Sequence, residues 1–358
     1  EDEILNLGPD NVMAFIAETV VGATAGALTA VPGYFKLIRE ICNKYDVLLI
    51  LDEVMCGMGR TGSLFACDDE PVIPDIITIA KGLGAGYQPI GAMICQNHIY
   101  EAIESGSGFF QHGHTYLGHP VACAASYAVL SKLINDNYPS KVREKGNILQ
   151  ESLTKSLGQN QYIGDIRGRG LFRAIELVAD RSTKEPFPKK LNVAGKIKKK
   201  ALDEGLICYP MQGTIDGENG DHILVAPPFI INETEINEIS EKLKITIDSV
   251  CNFWFDNFMY LRIVTIKCPN KTAKKSLKLL SKQVGHEQMK VGLIKETNVD
   301  ISETNFLVVK YWISKAHFEK GRSNWTKFSQ ELNEMGAIVS AVGGEADINM
   351  LDDFKNHI

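Results

Sequence analysis

Several things are scarce in this 358-residue chain, and each absence removes a class of function. No apolar run reaches the ~20 residues that a membrane-spanning helix needs. The eight cysteines, Cys42, Cys56, Cys67, Cys95, Cys123, Cys208, Cys251 and Cys268, show no C-x-x-C spacing. Several sit inside apolar periodic segments, which reads as reduced core thiols of a cytoplasmic protein rather than disulfides or a metal site. Excess positive charge is lacking too: the formal net charge is −6, so nucleic acid is not an expected partner. There is no G-x-x-x-x-G-K-[ST] phosphate loop. No secretory leader is visible, and the chain starts at Glu1 rather than at a methionine. With 44% hydrophobic and 23% charged residues, what remains is a globular protein of two or three domains.

The chain is organised around Asp46 to Gly84. An apolar run, Val47 to Leu51, delivers Asp52 and Glu53 at its carboxyl end; a second, Ile76 to Ala80, delivers Lys81 and then Gly82. Short apolar runs bounded by Gly and Pro read as buried parallel strands. Side by side, they would present a carboxylate and an amine where open α/β sheets bind ligands. A lysine in a partly desolvated cleft loses basicity, and its neutral amine can form a Schiff base with a carbonyl. The aspartate needs a cationic partner, which a protonated pyridine nitrogen supplies, so the pair suggests pyridoxal 5'-phosphate. Other readings stand beside this one. LLILDE also fits the acidic strand of a nucleotide-hydrolysing ATPase, and a lone strand-end lysine is ordinarily a solvated one.

From Asn11 to about Lys244 the chain resembles the class III (fold type I) pyridoxal-phosphate aminotransferases, the group of omega-amino-acid, ornithine and 4-aminobutyrate aminotransferases. The resemblance is carried, in the family's order, by AFIAETVVGATAG, GYFKLIREICNKYDVLLILDEVMCGMGRTG, PDIITIAKGLGAGYQPIGA, FFQHGHTYLGHPVACAA, GDIRGRGLF and APPFII. It implies that Lys81 holds the cofactor aldehyde as an internal imine and moves the proton, while Asp52 keeps the ring nitrogen protonated. Val54 would pack under the ring, on the argument that two residues along a strand point the same way; core packing is its other reading. Thr115, with His114 in the same loop, would bind the phosphate of a partner subunit across the twofold of a homodimer. Glu18 would stand at the substrate mouth, although Thr19 replaces the family's proline and a structural carboxylate fits nearly as well. Arg60 would fix a loop. Met55 stands where some relatives place a glutamine, and cannot donate that hydrogen bond. Measured against a complete aminotransferase, roughly half of the large domain, with its phosphate-binding Gly-Ser turn, is expected before Glu1.

Small-molecule amines or ω-amino acids, with keto acids or aldehydes as acceptors, are the implied substrates. Tyr209, in GLICYP, occupies the place of an α-carboxylate arginine and cannot make a bidentate charged clamp. The carboxylate would then be held elsewhere, by Arg173 or by an arginine outside the chain, or one substrate is a plain amine. His112, His114 and His119 lack both helical spacing and a carboxylate companion, so no metal is expected. GDIRGRGLFRAIELV reads as a turn then a strand, APPFII as the last strand, and Thr234-x-x-Asn237 as an imperfect capping box. The basic run Lys196 to Lys200 reads as a solvated helix face.

Charge then shifts from −9 over residues 1–252 to +3 over residues 253–358. The tail reads as strand, helix, strand, strand, helix, strand, a split ferredoxin-like order. VVKYWISKAHFEKG is similar to a strand-helix junction of the antibiotic-biosynthesis-monooxygenase-like dimeric α+β barrels, which would make Trp312 and His317 haem- or quinone-handling candidates. The expected architecture is therefore α/β: an incomplete large domain over 1–125, an α+β small domain over 126–252, and a ferredoxin-like module over 253–358. Transamination is the expected function. A catalytically incompetent fragment, another class III reaction such as decarboxylation or aminomutation, and an oxygenase-like tail are the alternatives.

Overall fold

A computed structural model describes residues 1–289, 293–312, 318, 319, 321 and 330–347. The chain divides into two compact units, Glu1–Val250 and Cys251–Ile358.

The first unit begins with α1 (Asp2–Leu7), β1 (Ala14–Glu18), the short pair β2 (Val20–Val21) and β3 (Leu28–Thr29), and α2 (Tyr34–Tyr45). β4 (Leu48–Asp52), β5 (Ile76–Ile79) and β6 (Ala92–Cys95) follow, then α3 (Asn97–Ser105), α4 (Pro120–Asn135) and α5 (Tyr138–Leu157). β7 (Ile163–Arg169), β8 (Phe172–Leu177), α6 (Val193–Asp203), β9 (Tyr209–Gln212), β10 (Asp221–Val225) and α7 (Glu233–Asn257) complete the order.

One sheet is ordered β1-β4-β5-β6. β1, β4 and β5 run parallel, as their apolar runs suggest, with Asp52 beside Glu18 on one side and Thr78 on the other. α2 supplies the crossover that a parallel pair requires and packs Phe35 and Cys42 onto Leu49 and Leu51. β6 pairs antiparallel with β5, because the glycine-rich return from Lys81 to Gly91 carries no crossover helix. The opposite face is thinly covered, with Ile16 62% exposed.

The other main sheet is antiparallel, in the order β7-β8-β10-β9. Three sequence readings are corrected here. GDIRGRGLF is a hairpin turning at Gly170 and Leu171, so the strand β7 occupies what reads as a turn. The last strand ends at Val225, leaving APPFII in the connection to α7. The capping box lies two residues earlier than expected and is complete: Asn232 Oδ1 accepts from Glu235 N at 3.0 Å, and Glu235 Oε2 accepts from Asn232 N at 2.9 Å. The segments that follow β1 and β4 pack on this sheet, with Val20, Cys56 and Ala66 against Phe172, Ala174 and Leu224.

The second unit holds β11 (Phe258–Lys267), α8 (Lys271–Met289), β12 (Leu293–Asp300), β13 (Asn305–Trp312) and β14 (Ile338–Asp347). Its sheet is antiparallel throughout, ordered β12-β13-β11-β14, and Leu277 of α8 packs on Val264, Ile266, Phe306 and Val308. Leu332 joins this core.

Replacing Asn232 with alanine removes one arm of the α7 capping box and is expected to cost about 1 kcal/mol, read as a lower urea midpoint with unchanged slope. An unchanged midpoint would contradict the cap.

Candidate functional site

Asp52 closes β4 and Lys81 follows two residues after β5, so the parallel pairing brings both to the same end of the sheet. One carboxylate oxygen of Asp52, Oδ1, accepts from Val54 N at 2.8 Å. Oδ2 has no hydrogen-bond donor among the described residues. Val54 itself lies outside the strand, in the turn after it, so strand alternation does not place it; it is half-buried beside Asp52. Lys81 sits at φ +43°, a left-handed conformation that a side chain rarely adopts, and it is exposed. Gly82 is required next to it, since a Cβ there would come within 2.9 Å of Met58 Cβ.

Glu18 is the third charge of this cluster. Burial pushes its carboxyl above the ordinary value; the Gly22 amide opposes the shift, Asp52 adds to it and Lys81 opposes it. Both strand-end charges are therefore felt at Glu18. Its Oε2 accepts from Gly22 N at 2.8 Å, which latches it to the loop between β2 and β3.

That loop rests on the second sheet. Arg167 Nε donates to Gly26 O at 2.8 Å and Nη2 to Ala25 O at 2.7 Å. The fully buried His222 ring lies beneath Gly26, where a Cβ would approach Cδ2 to 2.6 Å. Its Nδ1 is 2.6 Å from Thr214 Oγ1, and burial, reinforced by Arg167, pulls its pKa down to about 4.

Glu53 does different work from its neighbour. It is wholly buried and accepts from Thr19 Oγ1 at 2.6 Å, Ala66 N at 2.7 Å and Cys67 N at 2.9 Å. Sequence reading missed this clamp; the threonine in place of a proline at position 19 was its signal. Arg60 behaves as a loop-fixing residue, with Nη1 donating to Leu171 O at 3.1 Å and Pro227 O at 2.6 Å and its guanidinium 4.5 Å over the Phe229 ring. Burial pulls its pKa down to about 10. Arg173 is corrected as a carboxylate clamp: it is 8% exposed, and its three nitrogens donate to Gly170 O, Gln150 Oε1, Gly168 O and Gly146 O. Its donors are committed.

His114 and Thr115 lie in the exposed loop before α4, with no hydrogen bond to the strand-end cluster. Tyr209 opens β9 opposite Leu224 and is 50% exposed. A cavity of about 510 Å³ lies nearby, lined by Ile207, Cys208, Val225, Pro228, Ile231 and Ile239, but none of Glu18, Asp52, Lys81 or Thr115 reaches it, so it is not the candidate site. Trp312 is fully buried, its ring 5.6 Å from that of Phe318. His317 lies outside the described residues, among which no metal-binding cluster of His, Cys, Asp and Glu occurs. No helix among them is long and apolar enough to cross a membrane.

The donor set fits one end of pyridoxal phosphate: an aspartate oxygen without a protein partner for a cationic ring nitrogen, and an accessible lysine amine for the aldehyde. The phosphate end has only the exposed His114–Thr115 loop as a candidate.

Comparison with known proteins agrees with this chemistry. The model of the family described as Aminotransferase class-III matches residues 2–247. An uncharacterized aminotransferase of Schizosaccharomyces pombe is 46% identical over 249 residues, covering 70% of this chain and 54% of that protein. Among solved structures, a transaminase from the marine bacterium Virgibacillus has a TM-score of 0.66 at 35% identity, covering 70% of this chain and 56% of that one. An omega transaminase from Pseudomonas jessenii, solved in complex with PMP, has a TM-score of 0.65 at 32% identity, over 70% and 54%. The chain thus spans about half the length of the relatives it matches.

The folded pKa of His222 lies below the ordinary 6.5, so between about pH 4 and 6.5 the unfolded chain binds more protons. Stability from this residue is complete above pH 6.5 and is lost as pH falls toward 4. His222→Asn should flatten that part of the stability profile by on the order of 3 kcal/mol, measured by denaturant unfolding across the range. An unaltered slope would show that the ring is not held neutral. Asp221, pushed up to about 6 by burial, works in the opposite sense, and Asp221→Asn should steepen the profile.

Proposed function

The chain belongs to the class-III aminotransferase family, and from that premise we propose that it carries the Schiff-base lysine and the ring-nitrogen aspartate of a pyridoxal-phosphate transaminase. The donor is an amine or ω-amino acid and the acceptor a keto acid or aldehyde. The observation that supports this most is the pairing of β4 with β5, which sets Asp52 and Lys81 on adjacent strand ends with both charges felt at Glu18.

When bound, the cofactor supplies an electron sink for the carbon that loses its proton. The residues of the chain do the rest. Val54 N holds Asp52 Oδ1, so the carboxylate is oriented before any ligand arrives, and Asp52 would hold the cationic ring nitrogen of the cofactor. Lys81 Nζ would hold the cofactor's aldehyde end and, as a free amine, would serve as the base that moves the proton of the amine-bearing carbon. The left-handed backbone at Lys81 and the close fit of Gly82 on Met58 fix where that amine emerges. Glu18, held by Gly22 N, would stand at the substrate mouth and move aside to admit a substrate carboxylate. Tyr209, offering a single neutral donor, suits an amine or ω-amino acid better than an α-carboxylate.

A homodimer is part of this reading. Phe109, Phe110, Tyr116 and Leu117 are 64%, 50%, 78% and 70% exposed around Thr115 and His114, an apolar surface of the kind that a second copy covers. Thr115 would then complete the phosphate site of the partner. The second unit is read as a ferredoxin-like module, supported by its strand order and by α8 packed on one face. All eight cysteines are free, which favours a reducing, cytoplasmic setting.

Incubation with pyridoxal phosphate followed by borohydride should leave a stable label on the peptide carrying Lys81, with visible absorbance before reduction. Lys81→Ala should abolish both. A label on another lysine, or a visible band that survives Lys81→Ala, would refute the assignment.

A further inference from the structure

The inner face of the sheet in the second unit carries a row of charge. Arg262 on β11 stands opposite Lys310 on β13, and Lys310 stands opposite Glu296 on β12. The Lys310 and Glu296 side chains are 1% and 6% exposed, with Nζ 3.1 Å from Oε2. Glu296 Oε1 accepts from Ser281 Oγ at 2.8 Å and from Asn298 Nδ2 at 3.1 Å, and Lys310 Nζ also donates to Gln288 Oε1 at 2.5 Å. Gly285 of α8 makes room for this carboxylate, since a Cβ there would overlap Glu296 Oε2. The single acid of the row is thus engaged by Lys310.

Arg262 has no equivalent. Its guanidinium lies 5.0 Å from the centre of the Phe318 ring, and its buried Nε has no acceptor among the described residues. Trp312 meets the same ring edge-on at 5.6 Å, is fully buried, and its Nε1 also lacks an acceptor. Two side chains that touch one aromatic ring therefore each bury an unsatisfied N–H. Interior donors are nearly always satisfied, because leaving one unpaired forfeits its hydration without return. Charge adds a second argument. Like charges in directly opposed register positions repel, and two cations against one carboxylate leave one positive charge unbalanced.

We infer that Arg262, Lys310 and Trp312 form a binding site for a small carboxylate on the helix-covered face of the second unit. A planar monoanion with two acceptor oxygens matches both the guanidinium fork and the indole N–H, and it balances the row without overshooting as a dianion would. Phe318 supplies the apolar wall that both donors share. Binding would also restore basicity to Lys310, which burial now lowers. Nothing in this site depends on the chemistry proposed for Lys81.

The test uses the complete 358-residue chain, titrated calorimetrically with benzoate and, as a neutral isostere, benzamide. Benzoate should bind at one site per chain and benzamide should not. Arg262→Gln should weaken benzoate binding about tenfold or more, with Arg262→Lys intermediate. Lys81→Ala should leave it unchanged, which separates this site from a carboxylate pocket in the first unit. As a measurement that needs no variant at Arg262, the indole N–H resonance of Trp312, assigned with Trp312→Phe, should shift on adding benzoate to the wild-type chain. Absence of binding, equal binding to Arg262→Gln, loss of binding in Lys81→Ala, or an unmoved Trp312 resonance would each overturn the inference.

Discussion

The first unit depends on a buried carboxylate that performs no chemistry. Glu53 lies at the end of β4 with no solvent contact, and a charge so placed is tolerable only with several hydrogen bonds around it. Thr19 supplies one from the end of β1, and the amides of Ala66 and Cys67 supply two from the far side of the turn. Residues 19, 53, 66 and 67 are thereby pulled to one point. Asp52, the adjacent residue, is left to face the other way. Two acids side by side in the sequence become a fastener and a ligand because one of them satisfies the loops and the other does not.

Arginines extend this fastening to the second sheet. Arg60 reaches the carbonyls of Leu171 and Pro227, Arg167 those of Ala25 and Gly26, and Arg169 that of Ala66. Each guanidinium gives at least one donor to a backbone oxygen of another segment, and Arg167 and Arg169 give others to carboxylates. The loop that latches Glu18 is therefore held from behind by the β7-β8 hairpin. Its geometry belongs to the antiparallel sheet as much as to the sheet of β1, β4 and β5.

Much of this was legible in the residues. The runs ending at Asp52 and Lys81 read as neighbouring parallel strands, and they are, because five or six apolar residues between turn formers leave few other choices. The succession of four strands along the tail was legible for the same reason. What failed were readings that needed knowledge of partners. GDIRGRGLF looks like a turn because of its glycines, yet they lie in and beside β7, where Gly146 of α5 packs directly on the Gly170 carbonyl. Arg173 looks available until its acceptors are seen: the carbonyls of Gly168 and Gly170 in its own hairpin, and Gln150 Oε1 and Gly146 O from α5. The Thr19–Glu53 bond joins residues 34 apart, and local pattern does not reach that far.

β1 stands at the margin of its sheet, pairing with β4 alone, and Ile16 and Met13 are open to water beside it. An unpaired strand flank with apolar side chains is a template onto which any extended segment can be added. A second copy adding there would set β1 against β1 about a twofold axis, a contact that closes on itself rather than propagating, and a charged residue at position 16 would disfavour it.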